Sequence, residues 1–161
     1  MSTVREYDGD TEGLWRLKRA FETGLGEGTG DDAKEAAYEA KLTDEYREEY
    51  LSWVADCVAE NPRSVQVAVE DGRLVGYVFV LPESLAYIWD SAVLNEVFVK
   101  ESYRGTGVAD DLLEAALDAA RDMSLPLDRI VLDVDPANER ARAFYDRYGF
   151  SSWGELVARD L

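Results

Sequence analysis

The chain has 161 residues and is 47% apolar, which is enough for one domain with a full hydrophobic core but too little for two domains of usual size. Asp and Glu outnumber Lys and Arg 34 to 17, giving a formal charge of −17 that excludes nucleic acid and anionic membranes as favourable partners. Because there is no histidine and only one cysteine, Ser–His and Cys–His pairs, an intrachain disulfide and a cysteine-built zinc site are also excluded.

The acidic excess also predicts the solvent in which the protein works. Such a surface repels itself at low ionic strength, whereas at molar salt the Debye length is only about 3 Å and the repulsion is screened. The composition is therefore typical of a halophilic protein. No segment approaches the roughly 20 apolar residues of a membrane span, and the N-terminus lacks an apolar signal segment, so we expect a cytoplasmic location.

The first sixty residues predict a short strand near Val4 and two helices. Apolar residues at helical spacing indicate the first helix: Leu14, Leu17 and Phe21. The glycine-rich segment Gly24–Gly30 follows and is interpreted as a flexible connector or, alternatively, as a substrate-side loop. Residues 43 to 60 form the second helix, whose apolar stripe includes Cys57, so this cysteine is expected to pack rather than to react.

The middle of the chain predicts a hairpin and a further strand. Apolar and polar residues alternate over 65 to 70, and Asp71-Gly72 predicts a tight turn into an apolar strand over 74 to 81. Segment Ala86–Asp90 could start a strand, form a pocket wall or act as a lid. Val93–Val99 then reads as a strand.

The last third predicts a parallel unit followed by a terminal helix. Helix Gly107–Met123 connects strand Val93–Val99 to strand Arg129–Val134, which together form a right-handed crossover. Asn138–Tyr148 follows as an amphipathic helix. Residues Phe150–Leu161 are expected to close the sheet as one or two more strands.

A glycine-punctuated loop between the strand and the helix of this unit is suited to binding phosphate. Gly105 and Gly107 let the backbone approach an anion, and the first turn of the following helix offers unpaired N–H groups. The loop is not a dinucleotide-binding fingerprint, because position 110 is Asp where that pattern needs glycine. It is not a P-loop either, because no Gly-Lys-Ser/Thr occurs. The pattern that stands here is Arg104-x-x-Gly107-x-Ala109.

This pattern resembles motif A of the GNAT-type N-acetyltransferases, Gln/Arg-x-x-Gly-x-Gly/Ala. Asn138, Ala143-Phe144-Tyr145 and Gly149-Phe150 resemble motif B of the same superfamily, in which an Asn opens a helix that ends in Tyr-x-x-x-Gly-Phe. The resemblance runs from about Asn95 to Phe150. It implies an α/β (α+β) GNAT fold in a single domain spanning 1–161, with a mixed central sheet of six to seven strands and about four helices.

The resemblance also implies acetyl-CoA as co-substrate. Its diphosphate would be held by the loop and the first helical turn: Arg104, Gly105, Thr106, Gly107, Val108 and Ala109. The backbone of Phe98 and Val99 would pair with the pantetheine arm like an added strand. Asn138 would contact the cofactor or cap its own helix. No metal is expected.

Acyl transfer from a thioester to an amine needs an acid for the leaving thiolate and a base for the ammonium. By resemblance the acid is Tyr145, although periodicity alone would place this residue in the core. Glu96 is the first candidate base, because it interrupts an apolar strand and must face a cavity or be paired. Asp133 and Asp135 are alternatives on the next strand, and Asp135 also suits a strand end with a cap. Related enzymes acting on polyamines and amino acids tend to carry acidic residues at positions 95 and 96, so Asn95 is a departure.

The sequence therefore predicts an N-acetyltransferase that moves an acetyl group from acetyl-CoA to a primary amine by direct attack in a ternary complex. The alternative is a non-catalytic acyl-CoA-binding regulatory module, in which Glu96 and Tyr145 are structural. A nucleotide-binding protein is disfavoured, since the chain lacks the Mg²⁺-binding residue of a P-loop. The acceptor, a small-molecule amine or a protein amine, carries no readable motif, and a homodimer is compatible with the sequence.

Overall fold

The computed structural model of the chain describes residues 1–27 and 31–161. The α-helices in these ranges are α1 (Thr11–Glu27), α2 (Asp32–Ala40), α3 (Asp44–Glu60), α4 (Val108–Arg121) and α5 (Glu139–Arg147). The strands are β1 (Thr3–Glu6), β2 (Val65–Glu70), β3 (Arg73–Val80), β4 (Ala92–Val99) and β5 (Ile130–Val131). Two short 3₁₀ helices, Glu83–Ile88 and Glu101–Tyr103, flank β4.

The strands form one mixed sheet in the order β1-β2-β3-β4-β5. Neighbouring strands are antiparallel except β4 and β5, which are parallel, as predicted for strands joined by a helical crossover. The hairpin prediction is confirmed as well. Asp71 and Gly72 both have positive φ angles, 50° and 75°, the combination that a two-residue type I′ turn requires.

The prediction of six to seven strands is wrong, because the sheet formed by the described residues has five. Residues 151–161 form neither strand nor helix and are exposed throughout, although Trp153 stacks 3.9 Å from the Arg129 guanidinium. A strand needs a buried face and cross-strand partners, and Phe150 is the last residue that packs against a core cluster. The predicted strand Arg129–Val134 is likewise reduced to Ile130–Val131.

Helix α1 extends into the predicted connector Gly24–Gly30, and an additional helix, α2, follows this segment. Helix α1 continues to Glu27, and residues 28–30 of the segment Gly24–Gly30 lie outside the described residues. Helix α2 then starts at Asp32, where the Asp31 carboxylate accepts hydrogen bonds from the backbone N–H groups of Ala33 and Lys34. This alanine-rich helix was not predicted, because the glycine-rich segment before it indicated a connector. The described residues therefore form five α-helices, one more than the expected number of about four.

Two hydrophobic clusters cover the two faces of the sheet. On one face α1 and α3 pack against β2 and β3, and this cluster contains Cys57, which is 4% exposed and buried as predicted. On the other face α4 packs against β2, β3 and β4. The segment Ala86–Asp90 is not a strand: its Tyr87, Ile88 and Trp89 side chains are exposed. Among the described residues, no helix is both long and apolar enough to cross a bilayer.

The unfolding midpoint is expected to rise steeply between about 0.1 M and about 3 M KCl, because salt screens repulsion among the excess carboxylates. Thermal unfolding followed by tryptophan fluorescence at several KCl concentrations measures this. If local ion pairs dominated the surface electrostatics, the same screening would weaken them, and the midpoint would stay flat or fall.

Candidate functional site

Strand β4 has one paired edge and one largely open edge. Its residues 94 to 99 pair with β3, whereas in the described part of the chain only Ala92 and Val93 pair with β5. The parallel pairing ends at Val93, opposite the last residue of β5. Backbone N–H and C=O groups of β4 therefore face an open edge, where an extended ligand can bind as an added strand would.

A β-bulge sets the direction in which the β4 side chains point. Leu94 opposes Val80 and Glu96 opposes Phe79, so Asn95 is an extra residue in β4. Without the bulge, Leu94 and Glu96 would point to the same face of the sheet. With it, Leu94 packs in the cluster beneath α4, while Glu96 meets side chains from α1 and α3 on the opposite face.

The predicted phosphate loop follows β4 and ends in the first turn of α4. Gly105 and Gly107 have φ angles of 74° and 91°, which side chains with a Cβ rarely adopt. Gly107 is the N-cap of α4, and no side chain caps this helix. The first N–H groups of α4, including those of Val108 and Ala109, are therefore available to an anion.

Two arginines add positive charge to this loop. Arg104 lies with its guanidinium 6.0 Å from the centre of the Phe98 ring. Partial burial and then the positive charge of Arg140 lower the pKa of Arg104. Asp110, a carboxylate in the first turn of α4, accepts a 2.5 Å hydrogen bond from the Tyr148 hydroxyl. Sequence reasoning missed Arg140, whose signal was a cation in the first turn of a motif B helix.

Glu96 is buried and surrounded by donors. It is 4% exposed. Its Oε1 accepts hydrogen bonds from the hydroxyls of Tyr50 at 2.8 Å and Tyr77 at 2.6 Å. Its Oε2 accepts from Lys18 Nζ and from Asn95 Nδ2, both at 3.1 Å. The carboxylate is thus paired rather than facing an open cavity, and four donors fill its acceptor positions.

Lys18 connects Glu96 to a second buried carboxylate. Its Nζ donates a short hydrogen bond to Glu22 Oε1, and Lys41 Nζ pairs with Glu22 Oε2 at 2.8 Å from a more exposed position. Burial alone lowers the pKa of Lys18, but the charges of Glu96 and Glu22 outweigh it and raise the pKa above its usual value. Lys18 therefore stays an ammonium. Its signal in the sequence was a single lysine inside the apolar stripe of α1.

The motif B helix, α5, holds the predicted acid. Asn138 caps it, since the Asn138 side chain accepts a 3.1 Å hydrogen bond from the Ala141 N–H. Tyr145 is 9% exposed and packs edge-on against the rings of Phe144 and Phe150. Burial raises the pKa of Tyr145 to about 12, so its hydroxyl is protonated at neutral pH. Within the described residues, this hydroxyl has no hydrogen-bond partner.

The two aspartates that follow β5 have different surroundings. Asp135 pairs with Lys34 of α2 at 2.5 Å and accepts a hydrogen bond from the Ala137 N–H, and these contacts lower its pKa. Asp133 is exposed and makes no hydrogen bond or ion pair with the described residues, although its charge contributes to the raised pKa of Lys34. In the same part of the chain, no cluster of acidic and cysteine side chains is arranged to hold a metal ion.

Comparison with known proteins agrees with this geometry. A model of the Acetyltransferase (GNAT) family matches residues 29–150. An uncharacterized N-acetyltransferase of Mycobacterium tuberculosis is 32% identical over 106 residues, which cover 65% of this chain and 64% of that relative. The 5-NmdU N-acetyltransferase of Pseudomonas phage PaMx11 is 28% identical over 76% of this chain and 81% of its own length.

A solved structure shares the fold. The crystal structure of PaiA N-acetyltransferase from Thermoplasma acidophilum, in complex with coenzyme A, superposes with a TM-score of 0.71 and 19% identity, covering 94% of this chain and 90% of that one. This likeness shows the shared fold, and the family match over most of the chain confirms the resemblance to the GNAT-type acetyltransferases. The chain belongs to the Acetyltransferase (GNAT) family.

Proposed function

We propose that residues 1–161 act as one acetyltransferase domain, which moves an acetyl group from acetyl-CoA to a primary amine in a ternary complex. The observation that carries this proposal is the loop that ends in the first turn of α4, residues 104 to 109, which we call the anion seat. It follows the open edge of β4. One feature suits a diphosphate and the other an extended pantetheine arm. Family membership and the coenzyme A complex of a structural neighbour support the choice of ligand.

The cofactor would be held mainly by backbone groups. The backbone of Phe98 and Val99 would pair with the pantetheine arm, and the N–H groups from Gly105 to Ala109 would surround the diphosphate. Arg104 and Arg140 would supply charge. Because Asn138 caps α5, we assign it the role of orienting this helix rather than that of contacting the cofactor.

Arg104→Ala and Arg140→Ala are each expected to weaken CoA binding by about 10-fold, since each removes one charge-assisted contact to a phosphate. Isothermal titration at constant KCl concentration measures the dissociation constant. Arg121→Ala is a matched control, because Arg121 lies at the opposite end of α4 and pairs with Asp118. If the control weakened CoA binding equally, the effect would come from the overall loss of positive charge. Binding of the diphosphate by Arg104 and Arg140 would then be ruled out.

The thioester would supply an activated acyl carbon, and the residues of this chain would move the protons. Tyr145 is the proposed acid: its phenolic proton would pass to the sulfur as the carbon–sulfur bond breaks and the new carbon–nitrogen bond forms. The hydroxyl suits this role because it remains protonated and has no other partner in the described chain. Solvent would restore its proton after the thiol leaves.

Among the three candidate bases, Asp133 is the one whose carboxylate has no hydrogen-bond or ion-pair partner in the described chain, so it is free to accept a proton from the amine. Four donors surround Glu96, and Asp135 is paired with Lys34. Asp133 is exposed. We therefore assign Asp133 as the base and Glu96 as the anchor that fixes β4 to α1 and α3.

Asp133→Asn is expected to lower kcat/KM by about 10²-fold near neutral pH, where the amine is cationic and must lose a proton. The loss should shrink as the pH approaches the pKa of the free amine, about 10.4 for a lysine-like acceptor. A panel of amines with acetyl-CoA, scored by release of free thiol in high salt, provides the measurement. If Glu96→Gln remains folded and shows this pH-dependent loss while Asp133→Asn does not, Glu96 is the base.

If CoA binds and no amine is acetylated, the chain is the acyl-CoA-binding regulatory module.

A further inference from the structure

Five side chains surround the ammonium of Lys18 and are called the cage here: Phe21, Glu22, Tyr46, Tyr50 and Glu96. Carboxylates of Glu22 and Glu96 contact it from two sides. The Tyr50 ring centre is 4.6 Å from Nζ, and the rings of Phe21 and Tyr46 lie at 5.4 and 6.0 Å. Paired carboxylates and aromatic faces are the groups that proteins use to hold organic ammonium ions.

The cage is closed to solvent, and each of its charged groups has a partner. Lys18 is 3% exposed and Glu22 is 2% exposed. Lys41 covers the outer oxygen of Glu22, and the hydroxyls of Tyr50 and Tyr77 occupy Oε1 of Glu96. Two buried carboxylates therefore surround one ammonium, which the chain supplies itself.

The cage is close to the place where the acceptor amine would react. Glu96 is two residues before Phe98, whose backbone is proposed to hold the pantetheine arm, and it shares a sheet face with α1 and α3. A cationic group on an acceptor near β4 would be attracted to Glu96 and Glu22. Lys18 prevents this, because it pairs with both carboxylates and, together with Lys41 on Glu22, balances their two negative charges.

We propose that this cage is a primary-ammonium subsite occupied by the chain's own Lys18, which excludes the second positive charge of a diamine and so sets the acceptor specificity. The role in specificity rests on the proposed function, whereas binding of ammonium by the cage does not. Removing the Lys18 side chain should therefore create a site for free alkylammonium ions of matching length.

The binding test uses the full chain with Lys18→Ala and n-propylammonium, which replaces the removed Cγ, Cδ, Cε and Nζ atoms. Propylammonium is expected to raise the unfolding midpoint of Lys18→Ala by about 5 °C or more at saturation, with a weaker effect from methylammonium. Wild type should not respond. Neither should Lys18→Met, whose side chain fills the space. If Lys18→Ala is unfolded alone, propylammonium should restore its native tryptophan fluorescence.

Neutral propanol and added KCl are the controls for volume and ionic strength. A response to propanol equal to that of propylammonium would mean that the cage is only an apolar cavity and would overturn the subsite. The absence of any difference between Lys18→Ala and wild type would overturn it as well.

The specificity test compares butylamine with diaminobutane as acetyl acceptors. The ratio of kcat/KM for the diamine over the monoamine is expected to rise about tenfold in Lys18→Ala relative to wild type, because one charged contact is gained. An unchanged ratio in a variant that binds propylammonium would overturn the role in specificity. A wild type that acetylates neither amine would instead count against the proposed function, while the binding test still decides the subsite.

Discussion

Lys18→Met is expected to lower the free energy of unfolding by about 3–5 kcal/mol, the range measured when one partner of a buried ion pair is removed. The variant keeps most of the apolar volume of the side chain but leaves Glu22 and Glu96 buried without their shared cation. Urea unfolding at fixed KCl concentration, with a slope that matches wild type, gives the difference.

Lys41→Met is the matched control for this prediction. Lys41 pairs with the same Glu22, yet its side chain is 37% exposed, so its loss should cost about 1 kcal/mol or less. In Lys18→Met/Glu96→Gln, one of the stranded charges is removed too, and the cost should be smaller than the sum of the two single variants. Strict additivity would show that Lys18 and Glu96 are not coupled.

Local sequence signals predicted the parts of the fold that are determined within a few residues. Asp71-Gly72 specifies a turn because both positions adopt positive φ, and Gly105 and Gly107 mark the loop before α4 for the same reason. Helix α3 starts after Thr43, whose hydroxyl accepts the Tyr46 N–H, so residues 43 to 60 could be predicted almost to the residue.

Interactions between distant residues account for the errors. Only the register of β4 against β3 and β5 shows the bulge at Asn95 and the end of parallel pairing at Val93, which leaves β5 as Ile130–Val131. Residues 151–161 carry apolar side chains typical of a strand, yet no strand in the described part of the chain pairs with them. The sequence also could not bring together Lys18 and Glu96, which are 78 positions apart.

The candidate site also has one part that local sequence determines and one part that depends on distant residues. The proposed anion seat is one continuous segment that the motif indicates, whereas Arg140, whose charge lowers the pKa of Arg104, belongs to α5. The candidate bases depend on tertiary partners instead. A glutamate in an apolar strand must either face a cavity or be paired, and only the positions of Lys18, Tyr50 and Tyr77 show that it is paired.

Tyr145→Phe is expected to lower kcat by about 10²-fold while the free energy of unfolding and the affinity for acetyl-CoA stay close to wild type. The change removes one oxygen that has no partner in the described chain and leaves the ring packed against Phe144 and Phe150. Because its pKa is raised to about 12, the wild-type hydroxyl is a proton donor throughout the neutral range.

Tyr148→Phe on the same helix separates chemistry from packing. Tyr148 has a pKa raised to about 12 by its hydrogen bond to Asp110, so the control removes a similar hydroxyl whose role is to link α5 to α4. It should reduce stability by about 1 kcal/mol through the lost hydrogen bond and leave kcat nearly unchanged. Calorimetric titration and steady-state kinetics on the same preparations give both quantities. If Tyr145→Phe turns over like wild type, or if both variants lose kcat equally, Tyr145 belongs to the core and another group protonates the departing thiolate.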